Sequence, residues 1–176
     1  MKKSFTLIEI LVTSTIIMIM LGVTISYTRR SENINKINRA SERLAFDIRR
    51  VANLSMQTRQ IDDKKICGWG IYFDPDKKDS YIIFSDFCDR HLKGDSKYQE
   101  EEKVEEVRLP INTFVNNVNF SILIYLPPEP RIYLYDVGEN LVVNGKISIG
   151  AISGNYQRII EINQVGNINV RSKHDN

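Results

Sequence analysis

The hydrophobic positions of this chain follow three different periods, and each period predicts a different kind of element. Residues 5–25 are an almost continuous run of apolar and hydroxyl side chains. From residue 34 to residue 55, apolar and small positions recur at alternating spacings of three and four, which indicates a helix with one buried face. From Cys67 onwards, short aromatic and β-branched segments alternate with turn residues, which is typical of strands.

The first run is long enough to cross a membrane as one helix. Its 21 residues, rising about 1.5 Å each, span roughly 31 Å, close to the thickness of the hydrocarbon core. The run lacks the small-residue cleavage site of a secretory signal peptide, so we expect a signal anchor that stays attached. Glu9 is unusual here, because a carboxylate at the centre of a membrane helix costs about 2.5–3.5 kcal/mol. Glu9 either lies near the headgroups without a role or awaits a cationic partner.

The helix is expected to continue beyond the membrane, because no Pro or Gly interrupts the chain from Val23 to Gln60. We therefore predict a transmembrane segment over residues 5–28 and an amphipathic helix over residues 29–60 that packs on a folded domain. The predicted buried stripe is Ile34, Ile37, Ser41, Leu44, Ile48, Val51 and Ser55. The polar residues between them, Asp47 included, are expected mostly on the other faces.

Residues 61–176 read as a series of short strands joined by turns. The strand-like segments include CGWGIYF, YIIFSDF, RIYLYD and YQRIIEIN, with DPDKKDS, PPEP and SGN among the connections. Such a series favours an antiparallel sheet. A long N-terminal helix lying on an antiparallel sheet gives an α+β fold.

The two cysteines have a definable relation within this sheet. If Phe73 faces Ile82 across the DPDKKDS turn, antiparallel pairing also places Cys67 opposite Cys88, at a separation that suits a disulfide. The alternative is two separate buried thiols. The same register places five side chains on one face: Trp69, Ile71, Phe73, Ile82 and Phe84.

Composition adds few candidates for chemistry. The net charge is +2, and without its first thirty residues the chain has 20 basic against 21 acidic residues, so a main role in sequence-independent nucleic-acid binding is poorly supported. The aspartates of DPDKKDS lack the glycine and glutamate of a calcium loop. The segment YQEEEKVEEV predicts an exposed acidic loop, with a docking surface for a basic partner as the alternative. Neither His91 nor His174 has neighbours that suggest a nucleophile or a metal site. We expect no enzymatic activity, no metal and no cofactor.

The N-terminal segment KKSFTLIEILV resembles the class III signal of type IV pilins and type II secretion pseudopilins. In that family a prepilin peptidase cuts before an aromatic residue and methylates the new N-terminus, and a glutamate at the fifth mature position takes part in filament assembly. The resemblance implies a leader over residues 1–4, cleavage between Ser4 and Phe5, N-methylation of Phe5 and an assembly role for Glu9. Ser4 departs from the family, which normally has glycine there, but it is also small and suits a narrow protease site.

The order of strands in the C-terminal half and its closing segment RIIEINQVGNINV are similar, more diffusely, to GspH/FimT-type minor pseudopilins. The resemblance implies a structural minor subunit of a secretion pseudopilus or type IV pilus. Such a precursor rests in the bacterial cytoplasmic membrane as a single-pass protein, with its N-terminus inside and its β domain outside. Its expected partners are prepilin peptidase, other pilins or pseudopilins, an inner-membrane assembly platform and membrane lipid.

An alternative is a pilus-tip module that binds nucleic acid during DNA uptake. A basic strip near the C-terminus would then carry the binding: Lys146, Arg158, Arg171, Lys173 and His174. The same residues also fit a solvated sheet edge and tail.

Overall fold

A computed structural model of the chain describes residues 6–57, 60–61, 64–89, 93–127, 131–151 and 156–174. The chain forms two compact units, Met1–Asn35 and Lys36–Asn176. One helix, α1 (Leu7–Ser55), begins in the first unit and ends in the second. It ends five residues before the predicted limit at residue 60.

The second unit contains ten described strands in two antiparallel sheets, where the sequence predicted one. The first sheet has the order β4-β3-β2-β6-β7, with β1 paired to β2, and the second has the order β10-β9-β8-β5. The strands are β1 (Gln60–Ile61), β2 (Lys64–Tyr72), β3 (Ser80–Phe87), β4 (Lys103–Arg108), β5 (Thr113–Val118), β6 (Ile122–Tyr125), β7 (Ile132–Tyr135), β8 (Asn144–Ala151), β9 (Tyr156–Asn163) and β10 (Ile168–His174). The chain therefore has an α+β fold.

The buried face of α1 follows the predicted stripe with two differences. Ile37, Ser41, Leu44, Ile48, Val51 and Ser55 are buried. Ile34 is only half-buried. Asp47, predicted mainly for a polar face, is fully buried. A tertiary partner on the first sheet accounts for it, as described below.

The helix and the two sheets share one hydrophobic core. It joins Leu44 and Ile48 of α1 to Ile71 and Ile83 of the first sheet. From the second sheet it includes Ile147, Ile149, Ile160 and Ile162. We call the face of the first sheet that contributes to this core the inner face, and the opposite one the outer face. Because strand side chains alternate, Ile82 and Phe84 belong to the outer face.

The β2–β3 hairpin differs from its predicted register by one residue. Tyr72, not Phe73, lies opposite Ile82, because the turn at Asp74–Lys77 begins directly after Phe73 and is closed by the Lys77 N–H on the Asp74 carbonyl. A one-residue shift reverses which side chains share a face. The prediction that Ile82 and Phe84 lie beside Trp69, Ile71 and Phe73 is therefore wrong. Tyr81 and Ile83 take that place.

Cys67 and Cys88 are nevertheless joined by a disulfide, with their Cα atoms 5.0 Å apart. The register shifts between Ile66 and Gly68, so Cys67 lies at an irregularity of β2. The Cys88 N–H donates to the Lys65 carbonyl at 2.9 Å, which holds the end of β3 beside this irregularity. With the shifted register alone, Cys67 would lie opposite Phe87. The irregularity at Cys67 therefore brings Cys67 and Cys88 back within reach of each other.

The acidic segment predicted as a loop is largely ordered against the first sheet. Glu100–Glu102 form a 3-10 turn, and the following residues form the edge strand β4, paired to β3. Val107 is buried in the core, and Glu102 is only 4% exposed. Glu100 and Glu101 are exposed as predicted. The prediction of a loop is wrong from Lys103 onwards, because alternate side chains of β4 contact the first sheet and the helix.

Candidate functional site

The first unit presents an apolar helical surface. The segment Leu7–Thr24 has a mean hydropathy of 2.2, and none of it is buried, so it is long and apolar enough to cross a membrane. Its hydroxyl side chains bond back to the helix, as Thr13 Oγ1 does to the Glu9 carbonyl at 2.9 Å and Thr24 Oγ1 to the Met20 carbonyl at 2.8 Å. Such bonds satisfy the hydroxyls without water, so these residues remain compatible with an apolar environment.

Glu9 is the only ionisable residue within the segment Leu7–Thr24. It lies in the first turn of α1, where the helix dipole favours a negative charge. No other side chain among the described residues donates a hydrogen bond to its carboxylate. The predicted processing residues Ser4 and Phe5 lie outside the described residues.

The part of α1 that packs on the sheets is held by a buried carboxylate. Asp47 accepts a hydrogen bond of 2.6 Å from the Tyr81 hydroxyl of β3 and one of 3.0 Å from Arg43 Nε on the helix. Burial and the bond to Asp47 raise the pKa of Tyr81 well above its usual value, so this hydroxyl stays protonated and donates. Arg50 donates to Glu105 of β4 at 2.9 Å. These contacts fix the helix on the inner face of the first sheet.

A second group of contacts holds a segment over the outer face of that sheet. We call the described part of this segment, residues 88–89 and 93–99, the strap. It begins at the disulfide of Cys88, and near its end Tyr98 stacks on Tyr72, with ring centroids 4.7 Å apart. The rings of Tyr98 and Phe84 also pack edge to face, with their centroids 5.6 Å apart. The strap thus covers aromatic side chains on a face that would otherwise be open to water.

Two buried carboxylates accept backbone hydrogen bonds from this region. Asp86 accepts from the N–H groups of Asp95 at 3.2 Å and Ser96 at 3.1 Å. Glu102 accepts from the N–H groups of Phe87 at 2.8 Å and Gln99 at 3.1 Å. These backbone contacts hold the strap on the sheet, and the ion pair of Lys97 with Glu139 at 2.7 Å adds a side-chain contact.

Asp86, Asp95 and Glu102 bring their carboxylate oxygens within 4.8 Å of one another. No sequence pattern groups them, because Asp86 belongs to a strand-like segment and Glu102 to an acidic run, with no shared spacing. Asp86 and Glu102 are buried and already accept hydrogen bonds from backbone N–H groups, and the exposed Asp95 accepts from the Lys97 N–H and the Gln99 amide. The geometry therefore supports a structural role. Gly94 is needed beside them, since a Cβ there would lie 1.9 Å from Asp86 Oδ2.

Stability is expected to rise on mild acidification because of this cluster. Burial, with the nearby charges of Glu102 and Asp95, raises the pKa of Asp86 from 3.8 to about 6. At a pH between these two pKa values, Asp86 is protonated in the folded state and ionised in the unfolded state. The free energy of unfolding therefore falls as pH rises through this window. We expect the urea midpoint of the full chain to increase from pH 7.5 to pH 5 relative to that of Asp86→Asn. An unchanged difference between the two proteins would contradict this role for Asp86.

The predicted basic strip does not form one surface. Arg158 shares the core-facing side of β9 with the buried isoleucines, and its Nε is buried without a partner among the described residues. Lys146, Arg171 and Lys173 lie on the opposite face by strand alternation. Arg171 is ion-paired with Glu161, which also lies opposite Lys146. This mixture of charges gives no particular support to the DNA-uptake alternative.

The features relevant to function are thus an exposed apolar helical segment with one carboxylate in the first unit and, in the second, a β domain that packs on its own part of α1. Comparison of the chain with models of protein families, with curated proteins and with solved structures found no match.

Proposed function

We propose that this chain is a structural minor subunit of a type IV pilus or type II secretion pseudopilus, assembled through its N-terminal helix. One observation carries the proposal: Glu9 is the only ionisable residue within Leu7–Thr24, and that apolar segment is part of the same helix, Leu7–Ser55, that packs on the β domain. A simple membrane anchor has no need of the carboxylate. A helix that leaves lipid and packs against other helices needs the carboxylate to pair with a cationic group on a neighbour.

Glu9 acquires a partner when prepilin peptidase cuts between Ser4 and Phe5. The cut creates an amine at Phe5, which becomes methylated and stays cationic. The Glu9 carboxylate of one subunit then pairs with the amine of a neighbour that is shifted along the helix axis. In the apolar interior of a filament, this attraction is stronger than it would be in water, although desolvation of both groups opposes it. The pair favours correctly processed chains at a fixed axial shift.

The remaining features fit the same route. The precursor rests in the bacterial cytoplasmic membrane with residues 1–4 inside and the β domain outside, where an oxidising environment suits the Cys67–Cys88 disulfide. The assembly platform then transfers the helix from lipid into the filament. Contacts with lipid are replaced by contacts with the apolar helices of other subunits.

Replacing Glu9 with Gln should reduce assembly about tenfold, equivalent to about 1.4 kcal/mol. The amide keeps the size and polarity of the side chain but cannot neutralise the Phe5 amine. The measurement is the fraction of chain recovered in filaments or cross-linked multimers from cells that contain prepilin peptidase and the assembly platform.

Thr13→Val is the matched control, because it changes a polar side chain one turn away without changing charge. It should assemble like the unmodified chain. Both variants should also lose residues 1–4 normally, which separates assembly from processing. Equal recovery of Glu9→Gln and the unmodified chain would remove the main support for a filament role.

A further inference from the structure

A groove on the second sheet is lined mainly by asparagines. Its volume is about 430 Å³, which lies within the range of small-molecule sites. The amide side chains around it come from β8, β9, β10, the β9–β10 turn and the residue that follows β5. They are Asn119, Asn144, Asn163, Asn167 and Asn169. We call this site the amide groove.

The strand register places side chains of the groove next to one another. Asn144 lies opposite Asn163, and Glu161 lies between Lys146 of β8 and Asn169 of β10. The isoleucines that alternate with them belong to the core. These five side chains therefore lie on the face of the second sheet that points away from the core.

Two of the asparagines already have structural roles. The Asn119 amide donates to the Asn144 carbonyl at 2.9 Å and accepts from the Lys146 N–H at 2.7 Å. Asn163 Oδ1 accepts from the Asn167 N–H at 2.9 Å, which closes the β9–β10 turn. Asparagine commonly supports turns in this way.

The side chains of Asn144, Asn167 and Asn169 have no such role. All three residues are exposed, and their amides form no hydrogen bond with other described residues. Asn144 and Asn169 lie in strands, where asparagine is uncommon. Each of the three amides therefore offers its donors and its acceptor to a ligand.

The groove has little net charge. Among the described residues that line it, Lys146 and Glu161 are the charged ones, and their charges are opposite. Glu161 is also paired with Arg171. A nucleic acid would need several cations to contact its phosphates, so this lining favours a neutral ligand.

A sugar suits this lining better than a peptide does. Proteins bind peptides mainly along sheet edges or in apolar grooves, whereas the amide groove lies on a sheet face. Gly145 and the buried Ile162 complete its described lining, which thus contains no exposed apolar side chain. Sugar hydroxyls both donate and accept hydrogen bonds, as the free amides do.

We propose that the amide groove binds a neutral oligosaccharide. The amides of Asn144, Asn167 and Asn169 form hydrogen bonds with its hydroxyl or acetamido groups. No aromatic ring lines the described part of the groove, so the sugar is held without stacking and binds weakly, with a Kd on the order of 1 mM. This role goes beyond filament assembly and does not depend on it.

Titration of the isotope-labelled full chain with chitotriose tests the site. Chitotriose is neutral and carries both hydroxyl and acetamido groups. The chain is held in a phosphocholine detergent, because a detergent with a sugar headgroup would compete. The side-chain amide NMR signals of Asn144, Asn167 and Asn169 should shift until they saturate. The signal of Asn53, an exposed asparagine of α1 outside the groove, should not shift.

Substitutions in the groove connect the signals to binding. Asn144→Ala and Asn169→Ala should each raise the Kd about fivefold, the effect of losing one hydrogen bond to a neutral ligand. Because neither amide is used internally, both variants should unfold at the same urea concentration as the unmodified chain. Asn53→Ala is the matched control and should leave the Kd unchanged.

Two competing probes give results that would overturn the proposal. Equal shifts with glycerol, at the same concentration of hydroxyl groups, would mean that the amides respond to any polyol. Saturable binding of a single-stranded oligonucleotide, without binding of chitotriose, would assign the groove to nucleic acid. A chitotriose titration that moves none of the three signals, or a Kd that Asn144→Ala and Asn169→Ala leave unchanged, would also contradict it. None of these results bears on filament assembly, which the Glu9→Gln comparison tests separately.

Discussion

Asp47→Ala is expected to destabilise the β domain by about 2–3 kcal/mol, the amount associated with losing a buried hydrogen bond to a charged group and leaving its partner unsatisfied. Asp47 is fully buried and joins α1 to the first sheet through Tyr81. Its removal leaves the Tyr81 hydroxyl without its acceptor and Arg43 with only the more distant Glu105 carboxylate, at 3.7 Å. Urea unfolding of the full chain in detergent, followed by the fluorescence of Trp69, measures the change.

Tyr81→Phe and the double variant test whether the bond itself is responsible. Tyr81→Phe should cost less than Asp47→Ala, because Arg43 still contacts the carboxylate. The double variant should be more stable than the sum of the single changes predicts, since both remove the same interaction. Glu42→Ala, on the exposed side of α1, should change stability by less than about 0.5 kcal/mol. Additive costs for Asp47→Ala and Tyr81→Phe would contradict a direct energetic link between them.

Removing the disulfide with Cys67→Ser and Cys88→Ser should cost about 3 kcal/mol by the chain-entropy relation. The two cysteines are 21 residues apart, and the bridge closes a loop that contains the hairpin turn and most of β2 and β3. It also holds the start of the strap beside β2. Urea unfolding of the full chain measures the loss of stability.

Reduction provides an independent comparison. The unmodified chain treated with a reductant should unfold at the urea concentration found for the double serine variant, and the variant itself should not respond to the reductant. Hydrogen exchange should accelerate most in the strap. A midpoint that does not change on reduction, or free thiols in the folded protein, would contradict the proposed stabilisation.

The hydrophobic period was enough to predict the main division of the chain. A continuous run predicts an apolar helix over most of residues 5–28, and the spacing of three and four selects the residues of α1 that become buried. Asp47 was assigned mainly to a polar face because a pattern treats carboxylates as exposed. Its burial depends on Tyr81, 34 residues away in sequence, and a local period carries no information about such a partner.

The sheet was harder to predict because register and pairing depend on backbone details. One residue at the DPDKKDS turn decides which face Ile82 occupies, and an irregularity at Cys67 decides which residue meets Cys88. For the segment that forms β4, the sequence pattern predicts a loop, because the segment is rich in glutamate. At the sheet edge, Glu105 forms an ion pair with Arg50 of the helix and Val107 packs in the core. These contacts stabilise this segment as a strand.

The two buried carboxylates under the strap also escaped prediction. Asp86 and Glu102 are 16 positions apart in sequence and are brought together only by the return of the chain over the outer face. Their partners are backbone N–H groups, which carry no residue signature. Only Gly94, which leaves space for Asp86, marks the site in the sequence.

The central proposal is that the N-terminal helix serves filament assembly after processing, and the intact mass of the chain tests it most directly. The full chain is expressed with and without a prepilin peptidase, and its mass and N-terminal sequence are determined. We predict loss of residues 1–4 and a methylated Phe5 only where the peptidase is present, so that Glu9 gains the amine that it requires. A chain that keeps Met1 to Ser4 under both conditions would contradict the proposal.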